Sequence, residues 1–175
     1  MTKKTMPITQ TQIQRLLAQL YCLDDNDNII FLCDNNILLS PFAESYLKVL
    51  CREVGIKWNI FSTSLNNSES ESENTLAIEE ASKLGIDLSS HGKQQDSSIS
   101  PSCGKTLLFT FDNENHTDIE ITPATTFNLC HFIPRGLGSY QTIDSSTDDD
   151  IEDIKHCYLL IAEALKNIFE HYRVL

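Results

Sequence analysis

The sequence predicts an α/β fold, a four-stranded parallel sheet flanked by helices on both faces, with an extra N-terminal helix. Short apolar runs alternate along the chain with segments of helical periodicity, and the strand at Asn28 to Cys33 is continuously apolar after its first residue. Such alternation is typical of parallel sheets, and a strand without polar positions indicates that both faces are covered. At 175 residues, the chain is long enough for one domain with a substantial core.

The first half of the chain predicts two helices and two strands. A helix is expected over Thr9 to Leu20, and its apolar face carries Ile13, Leu16, Leu17 and Leu20. After the first strand, helical spacing begins at Ser40 and ends at Gly55, a residue suited to a helix C-terminus. The run from Lys57 to Thr63 predicts the second strand.

The middle of the chain is polar between shorter elements. The stretch from Ser64 to Asn74 has few apolar residues and predicts a mobile loop. A short helix is expected over Leu76 to Leu84. Apolar runs at Thr106 to Phe111 and at Asn128 to Ile133 predict the third and fourth strands.

A long amphipathic helix is predicted at the end of the chain. It follows an acidic run from Asp144 to Asp153, whose charges suit a helix N-terminus. Its apolar stripe is formed by Ile151, Ile154, Cys157, Tyr158, Ile161, Leu165, Ile168 and Phe169. The spacing of these residues at three and four positions indicates a single buried face.

Charge and cysteine content exclude several classes of function. The formal net charge is -12, which argues against nucleic acid and against an anionic membrane surface as partners. No apolar segment is long enough for a signal peptide or a membrane span, so a cytoplasmic protein is expected. The six cysteines are scattered without ligand spacing, which favours buried free thiols, no metal site and no cofactor.

The loop after the first strand is the candidate site. A strand, a short polar loop and a helix start bring backbone N-H groups and the positive end of a helix dipole together, which suits an anion. Cys33 stands at the strand end, where the same field would stabilise a thiolate.

These residues resemble the low-molecular-weight protein tyrosine phosphatases, whose hallmark is C-x-x-N-x-C-R-S-P after the first strand. Here the motif reads CDNNILLSP from Cys33 to Pro41, followed by Ala-Glu. The similarity continues through GIKWNIFSTS, LGIDLSSHGKQQ, LLFTFDNENH and the final helix, and it covers roughly residues 28 to 173. The resemblance implies a phosphatase-like domain over residues 28–175, preceded by a helical extension over residues 1–27.

The resemblance also assigns roles to the loop. Cys33 would be the nucleophile, here a vestigial one, and the anion loop would be formed by Asp34, Asn35, Asn36, Ile37, Leu38, Leu39 and Ser40. Asn36 and Ser40 match family residues that brace the loop by hydrogen bonds. A phosphorylated or other protein partner is the binding partner that the family implies.

Departures from the family motif fall on the charged groups. Leu39 stands where the family has the arginine that clamps the phosphoryl oxygens, and Leu38 stands at the second loop cysteine. A leucine cannot neutralise a phosphoryl dianion. Asp34 adds a negative charge directly beside the nucleophile position.

The general acid of the family is also missing at its expected place. Arg135 would stand at the position of the acid, after the predicted fourth strand. An arginine there could instead enter the cleft and stabilise phosphoryl transfer. On a shifted alignment, Asp144 or one of Asp148 to Asp150 would be the acid, although such a run at a helix start is usually a solvated cap.

The sequence therefore predicts a pseudophosphatase that serves as a binding or regulatory module. One alternative is an active cysteine-dependent phosphotyrosine phosphatase with an atypical loop. Another is a redox-responsive thiol protein in which Cys33 forms a mixed disulfide. For the N-terminal helix, two alternatives stay open: its apolar face covers its own domain, or it docks a partner chain.

Overall fold

A computed structural model describes residues 10–33, 38–64, 75–89, 104–111, 124–134 and 151–174. Its helices and strands, in chain order, are α1 (Gln10–Tyr21), β1 (Asn28–Cys33), α2 (Leu39–Val54), β2 (Asn59–Ser64), α3 (Thr75–Lys83), β3 (Thr106–Thr110), β4 (Ala124–Asn128), a 3₁₀ helix (Leu129–Phe132) and α4 (Ile151–Val174). The loop predicted over Ser64 to Asn74 lies outside the described residues after its first position.

The four strands form one parallel sheet in the order β2-β1-β3-β4. Asn28 at the start of β1 pairs with Asn59 of β2 and Thr106 of β3, so the three strands begin in register. Every residue of β1 and β3 is buried, because both faces of these central strands are covered. The predicted α/β fold with a four-stranded parallel sheet is confirmed.

The position predicted for the fourth strand is wrong by about one strand length. The strand is Ala124–Asn128, and most of the predicted run, Leu129–Phe132, is a 3₁₀ helix. The Asn128 side chain accepts a hydrogen bond from the Cys130 N-H at 2.8 Å, which caps this turn. The apolar residues after Asn128 are buried because the 3₁₀ turn packs them into the core. Their hydrophobicity reflects this burial and not a strand.

Most of the core lies in one large hydrophobic cluster. Phe31 and Phe109 stack across β1 and β3 with ring centroids 5.3 Å apart. A smaller cluster of Ile30, Leu32 and Leu108 follows from the alternation of side chains along β1 and β3, so it lies on the opposite face. Helix α2 ends at Gly55, whose φ of 77° is the left-handed conformation expected there.

Helix α1 packs on its own chain. All four residues of its predicted apolar face, Ile13, Leu16, Leu17 and Leu20, are buried in the large cluster. The Arg15 guanidinium carbon lies 5.8 Å from the centre of the Phe127 ring. At the other end of α1, the Tyr21 hydroxyl donates to the Tyr172 carbonyl, and the two rings stack at 4.7 Å. The apolar face of α1 is therefore occupied by its own domain.

The amino end of the sheet is held by a buried carboxylate. Asp27 is 5% exposed, and its Oδ1 accepts the Lys105 N-H at 2.6 Å. The Asn59 side-chain amide donates to the Asp27 carbonyl at 3.1 Å, which links β2 to the same turn. Gly104 lies so close to this turn that a Cβ there would be 2.0 Å from the Asn26 carbonyl oxygen. These contacts join the starts of β1, β2 and β3.

Helix α4 follows the predicted stripe with one exception. Ile154, Cys157, Tyr158, Ile161, Leu165, Ile168 and Phe169 are buried, as expected. Ile151, which we expected on the same stripe, is 44% exposed because it begins the first turn, before the helix reaches the core. No helix among the described residues combines the length and the apolar character that crossing a membrane requires.

Candidate functional site at the end of the first strand

Cys33 is the last residue of β1, at the carboxyl end of the sheet. Its Sγ lies 2.8 Å from the Oγ of Ser40 in the first turn of α2, and either atom can be the donor. Cys33 is 9% exposed and Ser40 is fully buried. The contact holds the sulfur against the first turn of α2.

Leu39 and Leu38 place hydrocarbon where an anion site would need charge. Leu39 is the first residue of α2 and is 1% exposed, and Leu38 is 6% exposed. Both side chains belong to the large hydrophobic cluster. An aliphatic side chain in this place offers no donor and no charge to an incoming phosphoryl group.

The nearest basic residue along α2 is already paired. Lys48 forms an ion pair with Glu44, a carboxylate that is itself buried. Leu38 at the helix N-cap forms no side-chain cap hydrogen bond. Within α2 itself, positive potential at this helix end would therefore come from backbone N-H groups and the helix dipole, which supply about half an elementary charge.

Tyr158 of α4 is a residue of this region that we did not predict from the sequence. Its hydroxyl donates to the Leu38 carbonyl at 3.1 Å, and its ring stacks on Phe42 at 3.9 Å between centroids. Burial raises the pKa of the Tyr158 hydroxyl above its usual value, and the nearby thiols of Cys157 and Cys33 raise it further. A tyrosine in an otherwise apolar stripe was the available signal, since a buried hydroxyl needs a partner.

Several predicted site residues lie outside the described residues. These are the loop residues Asp34, Asn35, Asn36 and Ile37, together with Arg135, Asp144 and Asp148 to Asp150. Of the predicted anion loop, the structure therefore describes Leu38, Leu39 and Ser40, and the Ser40 side chain contacts Cys33. Within the described part of the chain, no three His, Cys, Asp or Glu side chains are grouped so that they could hold a metal ion.

The cysteines among the described residues form no disulfide, and most of them are buried. Four of these thiols are buried, those of Cys33, Cys51, Cys130 and Cys157, whereas Cys22 is exposed, contrary to our expectation of burial. Cys22 follows the end of α1, where the chain turns at the surface. Cys103 lies outside the described residues. Burial raises the pKa of the Cys51 thiol to about 12.

Comparisons with known proteins agree with this fold. A family model described as "Low molecular weight phosphotyrosine protein phosphatase" matches residues 28–173. Comparison with curated protein sequences gives no match.

Similar solved structures share the architecture at low sequence identity. Wzb of Vibrio vulnificus, in complex with benzylphosphonate, is 22% identical with a TM-score of 0.60, over 85% of this chain and 99% of its own. The Drosophila arginine phosphatase DARP is 20% identical with a TM-score of 0.61, over 83% and 97%. A protein tyrosine phosphatase of Entamoeba histolytica is 15% identical with a TM-score of 0.61, over 84% and 97%.

Proposed function

The chain belongs to the low molecular weight phosphotyrosine protein phosphatase family, and from this premise we propose that it is a catalytically impaired member. In this proposal the Cys33 loop no longer hydrolyses phosphate esters at a useful rate. The domain serves instead as a binding or regulatory module for a phosphorylated or other protein partner in the cytoplasm.

The observation that carries the proposal is the position of Leu39. The residue that should neutralise a phosphoryl dianion is an aliphatic side chain, 1% exposed and packed in the core. Removing a single preorganised donor of this kind from an active site typically costs roughly 10²–10³ in rate, and loss of a bidentate charge costs more. Retention of Cys33 alone does not offset that loss.

Two further departures support impairment. Asp34 would bring a negative charge to the nucleophile and repel an entering phosphate. Arg135 would stand where the general acid belongs, so the leaving group would depart without a proton donor. We propose both roles from the family motif, and each would lower the rate independently of Leu39.

The alternative with a specific observation in its favour is an active cysteine-dependent phosphatase. The contact of 2.8 Å between the Cys33 and Ser40 side chains keeps the sulfur next to the Ser40 hydroxyl. The structural neighbours include proteins described as a tyrosine phosphatase and as an arginine phosphatase. If the site were active, phosphotyrosine would be the expected substrate.

Turnover and anion binding separate these two functions. We expect the purified protein to hydrolyse p-nitrophenyl phosphate and phosphotyrosine with kcat/KM at least about 10³-fold below that of the Vibrio vulnificus relative assayed beside it. Residual hydrolysis should be the same in Cys33→Ser. Hydrolysis at the rate of the relative, abolished in Cys33→Ser, would establish the active enzyme instead.

Two binding measurements complete the test. We expect little or no NMR chemical-shift response of Cys33 and Ser40 to phosphate or vanadate, because the fork that would hold a dianion is absent. A strong response would show that the loop still binds anions. Rapid alkylation of Cys33 near neutral pH, with formation of mixed disulfides, would favour the redox-responsive alternative.

A further inference from the structure

We propose that a surface at the amino end of the sheet binds a positively charged segment of a partner protein, with an arginine or lysine side chain against the exposed face of Tyr21. This surface, the aromatic patch, is formed by Tyr21, Trp58 and Tyr172. It lies at the opposite end of the sheet from Cys33. The proposal therefore goes beyond the proposed function and does not depend on whether Cys33 is active.

The aromatic patch is held together by contacts between three segments of the chain. The Tyr21 and Tyr172 rings stack with centroids 4.7 Å apart, and the Trp58 ring meets Tyr172 edge-on at 5.0 Å. The Tyr21 hydroxyl donates to the Tyr172 carbonyl. Stacking covers one face of the Tyr21 ring, yet Tyr21 is 44% exposed, so much of its other face is open to solvent. An aromatic ring that is fixed on one face and open on the other suits a cation.

The carboxyl ends of three helices meet at the aromatic patch. Tyr21 ends α1, and Tyr172 lies in the last turn of α4. Helix α2 ends at Val54, shortly before Trp58. Each helix end adds about half a negative charge from its unpaired carbonyls.

The three helix ends differ in how this negative charge is compensated. Helix α2 has Arg52 in its last turn and α4 has His171 and Arg173, whereas the last turn of α1 has no basic residue. Asp24 and Asp25 follow α1 at the surface, and among the described residues neither forms an ion pair. The end of α1 therefore places negative potential next to the open face of a tyrosine.

The other end of α1 shows the interaction that the proposal assigns to the partner. There the Arg15 guanidinium carbon lies 5.8 Å from the centre of the Phe127 ring. No described lysine or arginine of the chain occupies the Tyr21 ring in this way. The position over Tyr21 is thus open to a cation from another molecule.

Charge complementarity also indicates where on the patch this cation would lie. Lys57 precedes Trp58 and Arg173 follows Tyr172, so the negative side of the patch is the Tyr21 side. An arginine or lysine there would cover the ring with its apolar stem while its charge reaches the carboxylates after α1. The formal net charge of -12 would speed the encounter with a basic partner.

The test is a titration of the full chain with a short, acetylated and amidated peptide in which glycine and arginine alternate. Trp58 is the only tryptophan of the chain, so its fluorescence reports on the aromatic patch directly. We expect a saturable change in Trp58 emission with this peptide, and none with a peptide that has citrulline for arginine and so lacks the charge. No saturable change up to about 1 mM peptide, or an equal change with citrulline, would overturn the proposal.

Removal of the two carboxylates after α1 separates local binding from attraction by net charge. We expect Asp24→Asn combined with Asp25→Asn to raise the Kd of the arginine peptide roughly threefold to tenfold. Glu152→Gln combined with Asp153→Asn is the matched control, since it removes the same charge about 30 Å along α4 from Tyr172. Its Kd should change by less than about twofold. Equal losses in the two variants would overturn the proposal.

Two substitutions at Tyr21 separate the ring from the hydroxyl. Tyr21→Leu removes the ring and should raise the Kd roughly twofold to fivefold, the range for one exposed cation–π contact. Tyr21→Phe loses the bond to the Tyr172 carbonyl but keeps the ring, so its Kd should stay within about twofold of the wild type. Equal weakening by both substitutions would contradict a cation on the ring. If Tyr21→Leu does not fold, the wild-type and Asp→Asn titrations decide the proposal.

Two further measurements exclude another occupant and keep the result separate from the proposed function. A change in Trp58 emission with protein concentration, without peptide, would identify a second copy as the occupant and overturn the proposal. Cys33→Ser should bind the arginine peptide as the wild type does, because the sulfur lies at the other end of the sheet. Aryl phosphate turnover is recorded on the same samples, so an active wild type would contradict the proposed function while the peptide titrations still decide the role of the aromatic patch.

Discussion

The two ends of the sheet are held by different chemistry. At the amino end, a buried carboxylate, Asp27, accepts N-H groups from Lys105 at 2.6 Å and from Asp24 at 3.1 Å. At the carboxyl end, the contacts described above join the Cys33 sulfur with the Ser40 hydroxyl, and the Tyr158 hydroxyl with a carbonyl. The buried carboxylate therefore lies at the end of the sheet where the strands begin in register.

This difference shows which polar groups the fold itself requires. A buried carboxylate is costly unless every oxygen finds donors, and the turn around Asp27 supplies them. The carboxyl end, where the family motif lies, has hydrocarbon at Leu38 and Leu39 instead. The buried carboxylate that joins the strand starts is present, and we propose that the positive charge needed for anion binding is absent.

Gly104→Ala is expected to give the largest loss of stability, because it adds a side chain in the close-packed turn at the amino end of the sheet. The new Cβ would lie 2.0 Å from the Asn26 carbonyl oxygen and 2.6 Å from its carbon, and these are backbone atoms that cannot rotate away. We expect the free energy of unfolding in urea to fall by about 4 kcal/mol or more. Gly55→Ala, also a glycine substitution but with no atom within 4 Å of the new Cβ, should cost about 1 kcal/mol. Equal losses would contradict the close packing of this turn.

Leu39→Arg tests the carboxyl end by restoring the missing charge. Because Leu39 is 1% exposed in the core, we expect the guanidinium to lower the free energy of unfolding by about 3 kcal/mol. Hydrolysis of p-nitrophenyl phosphate should stay within about tenfold of the wild type, since Asp34 and the missing acid are unchanged. Leu39→Met, which keeps an apolar side chain of similar volume, should cost less than about 1.5 kcal/mol. Robust hydrolysis by Leu39→Arg would refute our account of the site.

The pH dependence of stability gives the smallest expected effect and concerns a buried thiol toward the amino end of the sheet. Cys51 lies near Tyr172, toward the amino end, and burial raises its pKa from 9.0 to about 12. Above pH 9 the unfolded thiol loses its proton while the folded one keeps it, so stability falls as the pH rises. We expect about 1 kcal/mol of loss between pH 9 and 10 from this group.

The measurement is chemical denaturation at pH 8, 9 and 10 in the wild type and in Cys51→Ala. The variant should be less stable at pH 8, where it leaves a small cavity, but should lose about 1 kcal/mol less between pH 9 and 10. Cys22→Ala removes an exposed thiol and should keep the slope of the wild type. A slope that is identical in Cys51→Ala would show that this thiol does not titrate differently on folding.

The fold was largely predictable because its signals are local. The apolar run of β1, the spacing in α2 and the left-handed glycine at its end each depend on a few neighbouring residues. The fourth strand was misplaced because Leu129 and Phe132 are buried in a turn, and burial alone does not distinguish a strand from a 3₁₀ helix. The strand itself, Ala124–Asn128, begins in a polar stretch.

The candidate site was predictable only in part. The motif made Cys33, Leu39 and Ser40 candidates, because those positions follow one another along the chain, and the structure brings the Cys33 and Ser40 side chains into contact. The bond from Tyr158 to Leu38 joins residues 120 positions apart, so no local pattern indicates it. Its only trace in the sequence is a hydroxyl placed within an apolar stripe.

The packing of α1 has a practical consequence for work on this protein. The family match begins at residue 28, so a fragment trimmed to that boundary would lack Gln10–Tyr21. The core includes three leucines of α1, Leu16, Leu17 and Leu20. Their removal would expose apolar surface of α4, which α1 contacts, to water. Such a fragment would be prone to precipitate. A lack of activity in a phosphatase assay of the fragment would therefore not show that the intact protein is inactive.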